Sequence, residues 1–310
     1  MIDTDAKAAE PAKMPRQLRV MMFITLFAFT FLVAIRFLND FNLYPVLAPF
    51  SAHDPAVAPD NAKSRDDVTE LRLETADGVN LYGWRQGPED AKVKVIYFQG
   101  NYEQVGRSPK FMADRCEELG AEILHFDYRG YGASEGRPSE QSLYADAREI
   151  YAYALKELAW QPEQIVIWGR SLGGAVAIRL ASELVSDDRP EPLPRGERPC
   201  CLVIDSPFSN IKDMAGHRLG FLVVPHWVTF EGYDNLAIAP RLELPVFHFH
   251  GDQDNIAPVE MGRRIHAALP GPSEWLELEG VGHNDFWRSK ERREMIYGRL
   301  REFLAANTKS

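Results

Sequence analysis

Ser171 stands in Gly169-Arg170-Ser171-Leu172-Gly173, between a β-branched run, Ile165-Val166-Ile167-Trp168, and a helix-like run from Gly174 to Ala181. This is the pattern of a strand-to-helix turn with a serine at its tip. Such a turn forces the serine into strained backbone, and glycines two residues to either side keep side chains from clashing across it. The helix that follows aims its N-terminus at the reacting group, where N–H groups and dipole favour negative charge on a carbonyl oxygen under attack. The chemistry implied is nucleophilic attack on an acyl group, with the Leu172 N–H as one oxyanion donor. A bare GxSxG arises by chance in roughly one chain in ten of this length, so the flanking pattern and the partners must carry the inference.

A serine hydroxyl needs a base, and the base needs an acid to hold its tautomer. Chain order on a strand-alternating-with-helix scaffold should be Ser, acid, His. His283, in Gly280-Val281-Gly282-His283-Asn284-Asp285, follows the last strand-like run and is the expected base. Asn284 and Asp285 read as caps of the helix after it. The acid belongs in His250-Gly251-Asp252-Gln253-Asp254, after a late strand; Asp254 is the choice because it lies in the loop, with Asp252 as an alternative. Asp205, at the end of the preceding strand, is another, its bland role being to cap the turn Ser206-Pro207-Phe208. His226 and His217 fall in an expected lid region, His125 inside a strand and His53 in a linker, so they fit less well.

A second oxyanion donor should come from Gln99-Gly100-Asn101-Tyr102, after the third strand. Gly100 lets backbone approach the substrate, and the N–H of Asn101 or Tyr102 is the donor expected to pair with Leu172. One competing pattern is His248-Phe249-His250-Gly251-Asp252, an HxHxD spacing that puts two imidazoles on one strand face. A metal-dependent hydrolase would need further ligands, and no such set is evident in the sequence. No metal and no cofactor are expected, and the histidine pair reads as core or backbone-bonded.

The elements that would position these residues begin near Val68. Val68 to Thr75 and Val79 to Arg85 alternate as strands around the turn Asp77-Gly78, an antiparallel hairpin. Val93 to Phe98 is nearly all apolar and so central. Helix-like Ser108 to Leu119 then precedes a strand, Ala121 to Phe126, and helix-like Glu140 to Ala159 precedes the strand at the elbow. Strands Cys201 to Ile204 and Val246 to His250 follow, then a helix from Met261 to Ala268, a strand from Trp275 to Leu278 and a helix from Arg292 to Ala306. This alternation predicts a mostly parallel sheet covered on both faces, with reactive residues past the carboxyl ends of the strands. Pro190 to Pro199 is a proline-rich loop, and residues 206–243 are an excursion long enough to be a lid. Within it, Phe221 to Val228 is apolar enough either to line an acyl pocket or to seal the core.

The chain has 310 residues, 45% hydrophobic and 26% charged, enough for one large core. Cys116, Cys200 and Cys201 form no plausible disulfide framework and read as small buried hydrophobes. Net charge is −10. Residues 1–38 carry five basic and three acidic groups, +2, so the rest carries −12, and an acidic body with no basic stripe argues against nucleic acid. Val20 to Ile35 is uncharged and apolar, and a snorkelling Arg36 extends it to Leu38; 19 residues at about 1.5 Å each span roughly 28 Å, close to a bilayer core. Lys13, Arg16 and Arg19 favour a cytoplasmic N-terminus. The expected organisation is therefore 1–19 cytoplasmic, 20–38 a single transmembrane anchor, 39–67 a linker and 68–310 a catalytic domain across the membrane, periplasmic in a bacterium. A cleaved signal is the rival, but its nearest small-residue site, Ala56-Val57-Ala58, is distant and followed by Pro59.

With elbow, acid and base in this order, the chain from about Val68 to Leu304 resembles the α/β-hydrolase superfamily. More narrowly it resembles the membrane-anchored branch of bud-emergence-type and serine aminopeptidase-like hydrolases. The residues that carry this are Gly100-Asn101, the run Asp127 to Gly136, Gly169 to Gly174, and Gly282 to Asp285. The resemblance implies an α/β-hydrolase fold with a mostly parallel eight-stranded sheet, helices on both faces and a short lid insertion. It makes Asp127 and Arg129 structural residues of the turn after the fourth strand. Where the family usually has His before Gly-Asn, this chain has Gln99, altering support of the oxyanion loop. The implied activity is hydrolysis of a small-molecule or lipid-like acyl ester, thioester or amide through Ser171, His283 and Asp254. The alternative of another class is a non-catalytic, membrane-anchored binding domain on the same scaffold.

Overall fold

A computed structural model describes residues 15–44, 68–105, 109–186, 198–219 and 232–308, with side chains for all of these except 32–42, 109–111 and 218–219. Eight strands among them form one sheet in the order β1-β2-β4-β3-β5-β6-β7-β8. β1 (Val68–Glu74) and β2 (Asn80–Gln86) make the antiparallel hairpin expected around Asp77-Gly78, and β2 also runs antiparallel to β4 (Ala121–Phe126). The pairs from β4 through β3 (Val93–Phe98), β5 (Ile165–Arg170), β6 (Cys201–Asp205), β7 (Val246–Gly251) and β8 (Ser273–Leu278) are all parallel.

Side-chain alternation divides the core between the two faces of this sheet. Ile96, Phe98, Ile167 and Ile204 pack with Leu143, Ala147 and Ile150 of α3 (Glu140–Lys156) and with Ala175 and Val176 of α4 (Leu172–Val185). Val95, Tyr97, Trp168, Val203 and Phe249 pack on the other face with Met112 and Cys116 of α2 (Pro109–Leu119) and Leu300 and Phe303 of α8 (Lys290–Asn307). All three cysteines are buried thiols. α3 starts with a capping box: Ser139 Oγ accepts the Ser142 N–H and Ser142 Oγ accepts the Ser139 N–H. It ends three residues before the expected Ala159, because Ala159 takes a positive φ of 53° and Trp160 N–H turns back to Ala154 O at 3.0 Å.

The long excursion holds α5 (Ile211–Leu219) and α6 (Asn235–Ile238); the apolar run 221–228, with His226, lies outside the described residues, as do His53 and most of the loop 190–199. α7 (Val259–Ala267) then links β7 to β8. α1 (Arg16–Leu43) contains the whole expected anchor as helix and continues past its boundary at 38. Leu43 and the following Tyr44 are buried in the core of the body, and the Tyr44 hydroxyl hydrogen-bonds the Tyr233 hydroxyl. Among the described residues no helix is long and apolar enough to cross a membrane, so the transmembrane span expected over 20–38 finds no support in them.

Candidate active site

Ser171 is the N-cap of α4 and sits at φ 52°, ψ −114°, with no side-chain capping bond to satisfy its hydroxyl. Its own N–H donates to Asp205 O at 2.8 Å, fixing the turn against the end of β6. The two glycines of the pentapeptide are there for space. A Cβ on Gly169 would lie 2.1 Å from Gly173 O, and one on Gly173 would lie 2.0 Å from Phe98 O and 2.6 Å from Gln99 O. The start of α4 therefore rests directly on the backbone that leads into the expected oxyanion loop.

His283 and Asp254 are brought together: Nδ1 to Oδ2 is 2.6 Å, with both side chains buried. Asp254 Oδ1 also accepts the N–H groups of Ile256, at 2.9 Å, and Ala257, at 2.8 Å. Burial pushes the Asp254 carboxyl up, but hydrogen bonds from His250 and His283 outweigh it and hold the group well below the usual carboxylate range. An ionised carboxylate only accepts, so the His283 proton sits on Nδ1 and Nε2 is left as the basic nitrogen. Of the three candidate acids, only Asp254 touches the imidazole. Asp252 Oδ1 instead accepts the Gly280 N–H at 2.7 Å. Asp205 does not cap the turn after it: its buried carboxylate faces Arg170 Nε at 3.5 Å, and burial raises its pKa against the pull of Arg170.

The loop expected to hold the oxyanion is braced from below. Gln99 Oε1 lies 2.8 Å from His125 Nε2, and the Gln99 main-chain carbonyl accepts the Tyr128 hydroxyl at 2.8 Å, so Gln99 ties the end of β3 to β4 and the residues after it. Burial lowers His125 to about 4, leaving it neutral. Asp127 accepts the Val105 N–H at 2.8 Å, and Arg129 pairs with Asp146 and Asp77, the structural roles expected for this turn. The Gly100 N–H donates to Glu103 Oε2 at 3.2 Å, so within this loop it is already engaged. Leu172, the first residue of α4, has no carbonyl four residues back within its helix to receive its N–H.

Two side chains at the site escape a reading of the sequence. Arg170 Nη2 donates to His283 O at 3.0 Å and to Asn284 Oδ1 at 2.8 Å, while Nη1 pairs with Glu103. The available signal is an arginine, at the end of a buried strand, that follows the apolar run Ile165 to Trp168 and Gly169. Asn284 therefore serves Arg170 and is no helix cap; α8 begins later, capped by Ser289. The HxHxD histidines are core residues: His248 packs edge-on to Trp275 with ring centroids 4.5 Å apart, and His250 Nε2 bonds Ala257 O at 2.8 Å. Among the described residues no group of three or more His, Cys, Asp or Glu side chains is arranged to hold a metal ion. His217 Nε2 lies 3.4 Å from Asn255 O, on the surface.

A mostly parallel sheet with a serine elbow after β5, a carboxylate after β7 and a histidine after β8 defines a class: the chain belongs to the α/β-hydrolase superfamily. The serine aminopeptidase family model matches residues 89–215. An uncharacterized protein of Mycobacterium tuberculosis is 32% identical over 223 residues, 70% of this chain and 72% of that protein. Human alpha/beta hydrolase domain-containing protein 17B is 26% identical over 196 residues, 63% of this chain and 62% of the relative. The esterase Pf2001 of Pyrococcus furiosus shares the fold with a TM-score of 0.61 at 18% identity, covering 78% of this chain and 93% of the esterase.

Proposed function

We propose that the chain is a serine hydrolase that cleaves an acyl ester, thioester or amide through an acyl-enzyme. Ser171 attacks the carbonyl, His283 Nε2 takes its proton and returns it to the leaving group, and Asp254 holds the imidazole and stabilises its charged form. The N–H groups of Leu172 and of Asn101 or Tyr102 receive the oxyanion, and water releases the acyl group. The observation that carries this reading is the buried 2.6 Å bond between Asp254 and His283, together with a serine at positive φ whose neighbour Arg170 donates to the His283 carbonyl. Esterase and lipase structures with the same fold lend support to small acyl substrates. Labelling with a fluorophosphonate probe tests it. Wild type should label, and Ser171→Ala and His283→Ala should be silent by at least about 10³-fold in rate. An adduct that survives Ser171→Ala on folded protein refutes the assignment.

We also propose that α1 anchors this hydrolase in a membrane, N-terminus in the cytoplasm and catalytic domain on the opposite side. Val20, Met21, Met22, Phe23 and Ile24 are all exposed, as are Leu26, Phe27, Phe29 and Phe31, and successive positions point around the whole helix. A helix apolar on every side suits lipid better than a one-sided protein groove. A C-terminal reporter that works only outside the cytoplasm should be active in the intact chain; activity of a cytoplasm-only reporter instead overturns the orientation.

A further inference from the structure

We infer that Arg170 is a positioning residue that locks the oxyanion loop and the base loop into one arrangement around Ser171; this rests on the serine-hydrolase reading above. Arg170 is the last residue of β5 and directly precedes Ser171, and its side chain is buried at 11% exposure. Its guanidinium serves three separate segments. Nη1 pairs with Glu103 Oε1, and the other Glu103 oxygen accepts the Gly100 N–H at 3.2 Å and the Tyr97 hydroxyl at 3.0 Å. Nη2 donates to the His283 carbonyl at 3.0 Å and to Asn284 Oδ1 at 2.8 Å. Nε faces Asp205 Oδ2 at 3.5 Å, and the Asp205 carbonyl receives the N–H of Ser171 itself.

This wiring sets geometry at the reacting atoms. The base is held at two points, its imidazole by Asp254 and its main chain by Arg170, and two points fix where Nε2 can lie. Glu103, held by the same guanidinium, fixes the peptide before the Asn101 donor. A planar fork with five donors reaches acceptors in different directions, which the single ammonium of lysine does not. The charges balance locally, Arg170 and Arg115 against Glu103 and Asp205, and Arg115 lies over Trp168 and Trp287 at 4.9 and 4.4 Å. Glu103 is held ionised despite its burial by Arg170. Misplacing a reacting group by about 1 Å costs on the order of 10²-fold in rate, with little effect on binding of the ground state.

The test uses the full chain in detergent, with kcat and KM on a p-nitrophenyl ester, fluorophosphonate labelling rates and thermal unfolding for each variant. Arg170→Lys should keep the fold, lose about 10²-fold in kcat and change KM by less than about threefold. Arg170→Gly should lose more and regain at least about tenfold when guanidinium ion is added, which a residue needed only for folding would not show. Arg170→Lys combined with Glu103→Gln should be little worse than Arg170→Lys alone, since both act through one pair. Arg179→Met, which removes a partly exposed ion pair elsewhere on α4, should match wild type. Wild-type kcat in Arg170→Lys, or no guanidinium rescue of folded Arg170→Gly, overturns the inference. Where an Arg170 variant fails to fold, Glu103→Gln decides by the same kcat criterion. If wild type does not label, or labels equally in Ser171→Ala, the hydrolase reading itself fails and this inference falls with it.

Discussion

Ser171 holds a φ of 52°, a conformation that costs a residue with a Cβ about 1–3 kcal/mol. The surrounding contacts offset that cost: the bond to Asp205 O on one side and the packed glycines on the other. Glycine at this position keeps the turn and removes the strain. Ser171→Gly should therefore abolish turnover while raising the melting temperature by about 2–4 °C per kcal/mol released, whereas Ser171→Ala abolishes turnover without that gain. Calorimetry on the two variants separates them; a Ser171→Gly melting point at or below that of Ser171→Ala shows that the turn stores no such strain. The pairing of His283 with Asp254 and the turn at Ser171 were legible in the residues themselves, since each of the three follows the carboxyl end of its own strand. Arg170 and Glu103 were not, because a charged residue reveals its partner only when strands distant in sequence are laid side by side.

At the scale of elements, the closeness of α4 to β3 and β5 is what makes the elbow. Gly173 leaves no room for a methyl group beside Phe98 O, while a methyl group on Gly216, in the middle of α5, would meet nothing within 4 Å. The same change at these two helical glycines should have opposite signs. Gly173→Ala is expected to destabilise by more than about 2 kcal/mol by forcing α4 off the sheet, and Gly216→Ala to stabilise by up to about 1 kcal/mol. Chemical denaturation of both variants checks this, and a neutral Gly173→Ala would show that α4 can shift freely. The strands were readable to within a residue or two because buried parallel strands are continuous apolar runs. Helix ends were read less well. α3 stops short because of a left-handed turn at Ala159, a non-glycine residue that carries no sequence signature for it, and α8 starts at a serine cap that lies behind two better-looking candidates, Asn284 and Asp285.

For the molecule as a whole, buried neutral histidines set the response to acid. Burial lowers His125 to about 4, and lowers His248 and His266 as well, so between about pH 6.5 and 4 the unfolded chain binds protons that the folded one refuses. Stability therefore falls with falling pH across that window. Asp127, raised by burial to about 6, works in the opposite sense: its folded form gains its proton first and so recovers part of the loss below pH 6. For His125 alone the loss is about 2 kcal/mol at pH 5, so His125→Gln should melt closer to wild type, or above it, as the pH is lowered from 7 to 5. Parallel pH dependence in the two proteins would show that His125 is charged in the fold. The contact between Tyr44 and Tyr233 has a mechanical meaning at this scale. Tyr44, the residue that follows α1, is already seated on the body 24 positions before β1 begins at Val68. The end of α1 is thus seated on the body at a contact of its own, as a mast is stepped into a hull.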